Sequence, residues 1–157
     1  MQDRVYIETS VVSYLTSRLS TDMVVAAHQR LTKRWWEERG PRFEMIISEL
    51  TYGEAAAGDA AAASARLEAI AELRILTVTD EAVSLAEVLT ARGPIPSEHG
   101  ADALHIAIAA VNGMDYLLTW NCKHLANAAH RNGIESLVEG AGYVCPIICT
   151  PEELMED

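Results

Sequence analysis

Apolar and polar positions along this chain alternate between two rhythms. Short runs rich in β-branched and aromatic residues occur at residues 4–8, 43–48, 74–80, 115–119 and 146–150. Such runs predict strands. Between them, apolar residues recur every three or four positions, the spacing of one helix face. Ser10 is placed to cap a helix carrying Val11, Val12, Tyr14 and Leu15. Asp22 is placed to cap a second, with Val24, Ala27, Leu31 and Trp35 in phase, stopped by Gly40-Pro41. Ser48 opens a third, and the Ala-rich stretch from Glu49 to Arg74 is interrupted at Gly53 and Gly58, with Asp59 capping its second half. Asp80 is placed to cap the next helical pattern, which ends before Gly93-Pro94-Ile95-Pro96. Helices are also predicted over 98–113 and over 122–133, the latter ended by Gly133. Thr150, Pro151 and Glu153 form a capping box before a short C-terminal helix. Strands alternating with helices predict one α/β domain over residues 1–157 with a largely parallel sheet.

The totals narrow the class. Apolar residues make up 50% and charged residues 22%, so the chain is globular rather than disordered. Aromatic residues are only 6%, which leaves the core to aliphatic side chains and alanine. A formal net charge of −11 argues against a broad nucleic-acid-coating surface, because phosphate affinity needs Lys and Arg. It leaves room for a nucleic-acid enzyme whose metal supplies positive charge. Cys122, Cys145 and Cys149 make no CxxC pair and read as reduced structural thiols. No segment reads as a signal peptide or membrane helix, so a soluble, cytoplasmic protein is expected.

In an open parallel sheet, chemistry gathers beyond the C-terminal strand ends. Glu8, Thr9 and Ser10 follow the first strand. Ser48, Glu49 and Glu54 follow the second, and Thr119, Trp120 and Asn121 follow the fourth. Asp102 stands near the start of the helix before the fourth strand, within the apolar stretch ADALHIAIAAV. Carboxylates drawn together from distant segments repel unless a cation lies between them. Oxygen ligands select hard ions such as Mg²⁺ or Mn²⁺. Neither a Gly-rich phosphate loop nor a nucleophile elbow accompanies these acids.

Each residue also has a plainer reading. Glu8 and Asp102 carry charges that favour a helix N-terminus, and Asn121 is a good helix cap. Glu49 and Glu54 point different ways on one helix, and Glu49 suits a first-turn charge. Ser10 and Thr119 either end their elements or hold acids and waters behind the ligands. His105 shares a face with Asp102 and reads as a packed or hydrogen-bonded structural residue, with proton transfer the alternative. Lys123 and His124 read as solvated surface. Trp35 and Trp36 cannot both face the core on one regular helix, which leaves one for a partner surface.

Four segments, YIETSV, ISELTYGEAAAGD, DALHIAIA and YLLTWNCKHL, run in order from residue 6 to 125, with TPEEL near the end. In these the chain resembles PIN domains, close to VapC-like toxins of type II toxin–antitoxin pairs. The resemblance implies a three-layer α/β/α sandwich around a central, mainly parallel sheet. It also implies a ribonuclease dependent on Mg²⁺ or Mn²⁺, an RNA substrate, a small antitoxin partner and, by analogy, a homodimer. Carried over by position, its acidic sites fall on Glu8, Glu54 and Asp102 as metal ligands. The fourth falls on Asn121, where a neutral amide replaces a carboxylate. Glu8 stands where the family more often has Asp. This set supports one metal more easily than two. The rival reading is a catalytically weak PIN-like module that binds RNA or a partner.

Overall fold

Strand β1 (Arg4–Ile7) occupies the middle of a five-stranded sheet in the computed structural model, which describes residues 1–155. The other strands are β2 (Glu44–Ser48), β3 (Arg74–Leu76), β4 (Tyr116–Leu118) and β5 (Ile147–Cys149). Their order is β3-β2-β1-β4-β5, and every pairing is parallel. Tyr6 pairs with Ile46 on one side and Leu117 on the other. Seven α-helices flank the sheet: α1 (Thr9–Thr16), α2 (Met23–Arg34), α3 (Glu49–Ala55), α4 (Ala60–Ala69), α5 (Asp80–Ala91), α6 (Gly100–Val111) and α7 (Ala128–Gly140).

The two-residue period of β1 divides the interior. Tyr6 enters one core with Ile46, Leu117 and Ile148, closed by Leu85, Leu89, Ile106 and Ile134. Val5 and Ile7 enter the other with Ile47, Leu118 and Cys149, closed by Val11, Val12, Trp35 and Ile70. Successive strand side chains point to opposite faces, so a strand buried on both faces must be apolar at every position. Val5, Tyr6 and Ile7 are each wholly buried. The result is the three-layer α/β/α sandwich with a parallel sheet that the sequence predicts.

Local differences have physical causes. Strand β3 stops at Leu76, short of the predicted 80. Thr79 rather than Asp80 caps α5, its side chain accepting from the Ala82 amide, and Asp80 becomes a first-turn charge. The predicted helix over 122–133 is instead a run of turns followed by α7, which Asn127 caps and which passes through Gly133. A Cβ at Gly133 would meet the Pro94 ring at 3.7 Å, an ordinary contact, so the helix runs through this glycine without being ended by it. The capping box at Thr150 forms in both directions, Thr150 N to Glu153 Oε1 at 3.0 Å and Glu153 N to Thr150 Oγ1 at 3.3 Å. It opens a turn at 151–154, not a helix, among the described residues. After α2 the backbone widens into a π-helical turn over Trp35–Arg39. That turn lets Trp35 bury fully while Trp36 packs half-buried against the same core.

Gly93 ends the α5 segment under tight constraint. A Cβ there would lie 2.5 Å from the Leu89 carbonyl oxygen and 2.9 Å from Leu137 Cδ1. Gly93→Ala is therefore expected to cost about 1–3 kcal/mol through overpacking, read as a lowered urea midpoint. An unchanged midpoint would show that the backbone yields freely. No described helix is long and apolar enough to cross a membrane.

Candidate metal centre

Glu8 follows β1 directly and is the N-cap of α1. Its Oε2 accepts from the Ser10 amide at 3.0 Å, and its Oε1 accepts from the hydroxyls of Ser10 and Thr119, both at 2.5 Å. Only 7% of Glu8 is exposed. The cap and the site are one arrangement, because the strand end that starts α1 also places this carboxylate at the sheet edge. Ser10 and Thr119 thus hold Glu8 rather than end their own elements alone. Ser10 Oγ also accepts from the Trp120 amide at 2.8 Å, tying the β1 and β4 exits together.

Glu54 lies on α3, which Ser48 caps at the end of β2. Its Oε1 accepts from Thr9 Oγ1 at 2.5 Å and contacts His105 Nε2 at 2.7 Å. Behind His105 runs a buried chain: Nδ1 to Tyr6 hydroxyl at 2.6 Å, and Tyr6 hydroxyl to Ser48 Oγ at 2.7 Å. Burial pushes the Tyr6 hydroxyl well above its ordinary value, so it stays protonated. An ionised Glu54 can only accept, so the proton in the Nε2 contact is His105's. Burial raises the Glu54 carboxyl, but the His105 hydrogen bond and charge and the Thr9 hydroxyl outweigh it and hold it below the ordinary value. Glu49 behaves as a first-turn charge, its Oε2 accepting from the Val78 amide at 2.9 Å.

This shift has a sign for stability. A carboxyl lowered on folding stabilises the native state fully above its unfolded pKa, and that contribution is lost as pH falls through the folded pKa. Glu54→Gln should therefore flatten the acid limb of a stability–pH profile below the ordinary carboxylate range, measured by urea midpoints. An acid limb as steep as the wild type's would refute the assignment.

Ligand atoms of Glu8, Glu54 and His105 all lie within 4.8 Å of one another. Asp102, on the first turn of α6, stands in a second group with His99 and His124. Asp102 Oδ2 contacts His124 Nδ1 at 2.9 Å and lies 3.9 Å from His99 Nδ1. The expectation of a solvated His124 is corrected: it is 6% exposed, held between Asp102 and the turn after β4. Asn121 builds that turn, its Oδ1 accepting from the His124 amide at 3.1 Å, while Lys123 is exposed as expected. Thus Glu8 and Glu54 come together with Ser10 and Thr119 around Glu8, whereas Asp102 and Asn121 hold the neighbouring group. His105 and Thr9 are the supporting residues that spacing left understated; the one-turn interval from Asp102 to His105 was the available signal.

Away from this edge, burial chiefly pushes the Cys145 and Cys149 thiols up to about 12, which keeps them protonated and unreactive. All three cysteines are free.

A parallel α/β/α sandwich with clustered acids and histidines beyond its strand ends defines a PIN-like architecture. No protein-family model and no curated protein sequence matches the chain. Solved structures do. One is the Mycobacterium tuberculosis toxin VapC20, described as cleaving the sarcin–ricin loop. It has a TM-score of 0.56 and 19% identity over 89% of this chain and 96% of that one. Another is VapBC2 from Rickettsia felis, bound to a DNA fragment from its promoter. It has a TM-score of 0.57 and 14% identity over 94% of this chain and 98% of that one. At these identities the likeness establishes the fold alone, a PIN-like parallel α/β/α sandwich.

Proposed function

We propose that this chain is an endoribonuclease dependent on Mg²⁺ or Mn²⁺, and the toxin of a toxin–antitoxin pair. The observation that carries the reading is the pairing of Glu8 and Glu54 at the sheet edge, their oxygens within 4.8 Å. Hydroxyls, one amide and His105 surround them, and neither carboxylate is paired with a lysine or arginine among the described residues. Such a donor set fits a hard divalent ion. When bound, the ion would offset phosphate charge and make water a better nucleophile.

The chain's own groups divide the remaining work. Glu8 and Glu54 supply carboxylate oxygens. Ser10 and Thr119 fix the first, and Thr9 and His105 fix the second. The lowered Glu54 carboxyl stays ionised at neutral pH, which suits a ligand better than a proton acceptor. Asp102 is the proposed third acid: it lies one turn before His105 on α6, so the two share a face of that helix. Asn121 has its Oδ1 committed to the His124 turn and offers Nδ2 toward the RNA backbone. Hydrolysis replaces one ribose oxygen on phosphorus with a water oxygen, and the departing ribose oxygen takes a proton.

The structural neighbours support the biological reading, one being described as a sarcin–ricin-loop-cleaving toxin and the other as VapBC2 bound to a DNA fragment from its promoter. On this reading the partner is a small antitoxin and the substrate a structured RNA. The test is cleavage of structured RNA with added Mg²⁺ or Mn²⁺, with and without EDTA, beside Asp102→Asn. Loss of cleavage with EDTA and in the variant is expected. Equal cleavage by chelated wild type or by the variant would overturn it.

A further inference from the structure

We propose that His99, Asp102 and His124 form a second cation site that takes Zn²⁺ rather than a hard ion. One ligand atom from each lies within 4.8 Å of the others. Zn²⁺ bonds of 2.0–2.1 Å in tetrahedral geometry set ligand atoms about 3.3 Å apart. The two distances to Asp102 Oδ2, 2.9 Å from His124 and 3.9 Å from His99, bracket that spacing. Both imidazoles face the same carboxylate oxygen, and their ring centroids are 4.1 Å apart with a tilt of 41°. A divalent cation accepts both nitrogens and the carboxylate in their neutral and ionised forms.

The donor set selects the ion. Two imidazole nitrogens and one carboxylate favour Zn²⁺ and its neighbours, whereas Mg²⁺ prefers oxygen alone. Two ligands are already fixed. His124 is buried with its amide held by Asn121, and Asp102 is set by the first turn of α6. His99 immediately precedes α6, and its side chain is 43% exposed. That leaves an entry side at His99, the most exposed of the three. With three protein ligands, the fourth position falls to water.

A consequence rests on the function proposed above. On that proposed function Asp102 is also the third acid of the hard-ion site, so Zn²⁺ bound through it would remove that acid. Zn²⁺ then inhibits cleavage supported by Mg²⁺.

The binding test does not depend on cleavage. Untagged protein carrying Cys122→Ser, which removes the exposed thiol, is titrated with Co²⁺ as a spectroscopic probe and then with Zn²⁺ as competitor. With excess Mg²⁺ present to hold the Glu8–Glu54 centre, one Co²⁺ per chain, displaced by Zn²⁺, is expected. His99→Ala and His124→Ala should each weaken binding by at least about tenfold to hundredfold, while Glu8→Gln leaves it unchanged. Far-UV circular dichroism checks folding, and if His124→Ala unfolds, the surface variants His99→Ala and His99→Asn decide. Binding that vanishes with Cys122→Ser, that survives loss of His99, or that falls with Glu8→Gln overturns the site. In the second arm, Zn²⁺ should inhibit Mg²⁺-supported cleavage by wild type but not by His99→Ala. Absence of any cleavage would defeat the proposed function and leave the binding result standing; Zn²⁺ inhibition undiminished in His99→Ala would overturn the coupling through Asp102.

Discussion

Glu8→Ala is expected to slow metal-supported RNA cleavage by at least about hundredfold, since the charge stabilisation lost is several kcal/mol and each 1.36 kcal/mol is tenfold. It should also destabilise the fold, because three hydrogen bonds end on this carboxylate and one of them caps α1. Losing the cap alone costs about 0.5–2 kcal/mol, and the Thr119 hydroxyl would lose its buried acceptor. Glu8→Gln separates the two effects. It keeps an oxygen for the Ser10 amide and removes the charge, so its urea midpoint should lie nearer wild type while its cleavage falls with the alanine variant's. Wild-type cleavage by Glu8→Gln would reduce Glu8 to a helix cap.

Trp35→Ala should produce the largest loss of stability in the chain. The indole is wholly buried, lies 5.8 Å from the Phe43 ring in a stacked arrangement, and donates from Nε1 to the Leu154 carbonyl at 3.1 Å. Truncating a buried tryptophan costs about 3–5 kcal/mol. For a domain of this size that lowers the melting temperature by roughly 6–20 °C. The Leu154 bond also ties the C-terminal turn to the π-helical turn, so that turn should loosen first, seen as faster amide exchange at residues 152–155. Half-buried Trp36 should cost clearly less on truncation. Equal losses for the two would contradict the burial difference that the π-helical turn creates.

The fold was largely legible because its signals are local. Apolar runs marked all five strands, and Asp22, Ser48 and Asp59 cap the helices they were expected to cap. Where the reading failed, a competing cap or a tertiary contact decided. Gly133 looks like a helix end, but α7 starts later, under the Asn127 cap, and runs through it. His124 looks like surface, since its neighbour Lys123 is charged and exposed, until Asp102 arrives from 22 residues earlier. The tryptophan pair looked irreconcilable because a regular helix was assumed. In the site, Glu8 was legible as an acid at a strand end, with Ser10 and Thr119 among the groups that could hold acids. Glu54 was legible on the helix after β2, but Thr9 and His105, which hold it, were not, since they lie 45 and 51 residues away. Sequence position finds holding groups at strand ends and misses those that only tertiary contact brings.

The central place of β1 bears on when this protein can act during its own synthesis. The first strand made has no finished neighbour on one side until β4 is made at Tyr116–Leu118, and Glu8 lacks the Thr119 hydroxyl until then. Parallel pairings across such long separations form slowly, because distant segments must close before contacts compensate. A nascent chain therefore carries its acids apart for most of its elongation. A catalytic edge that cuts RNA would assemble only after β4 has cleared the ribosome, whose own RNA is the nearest substrate at hand.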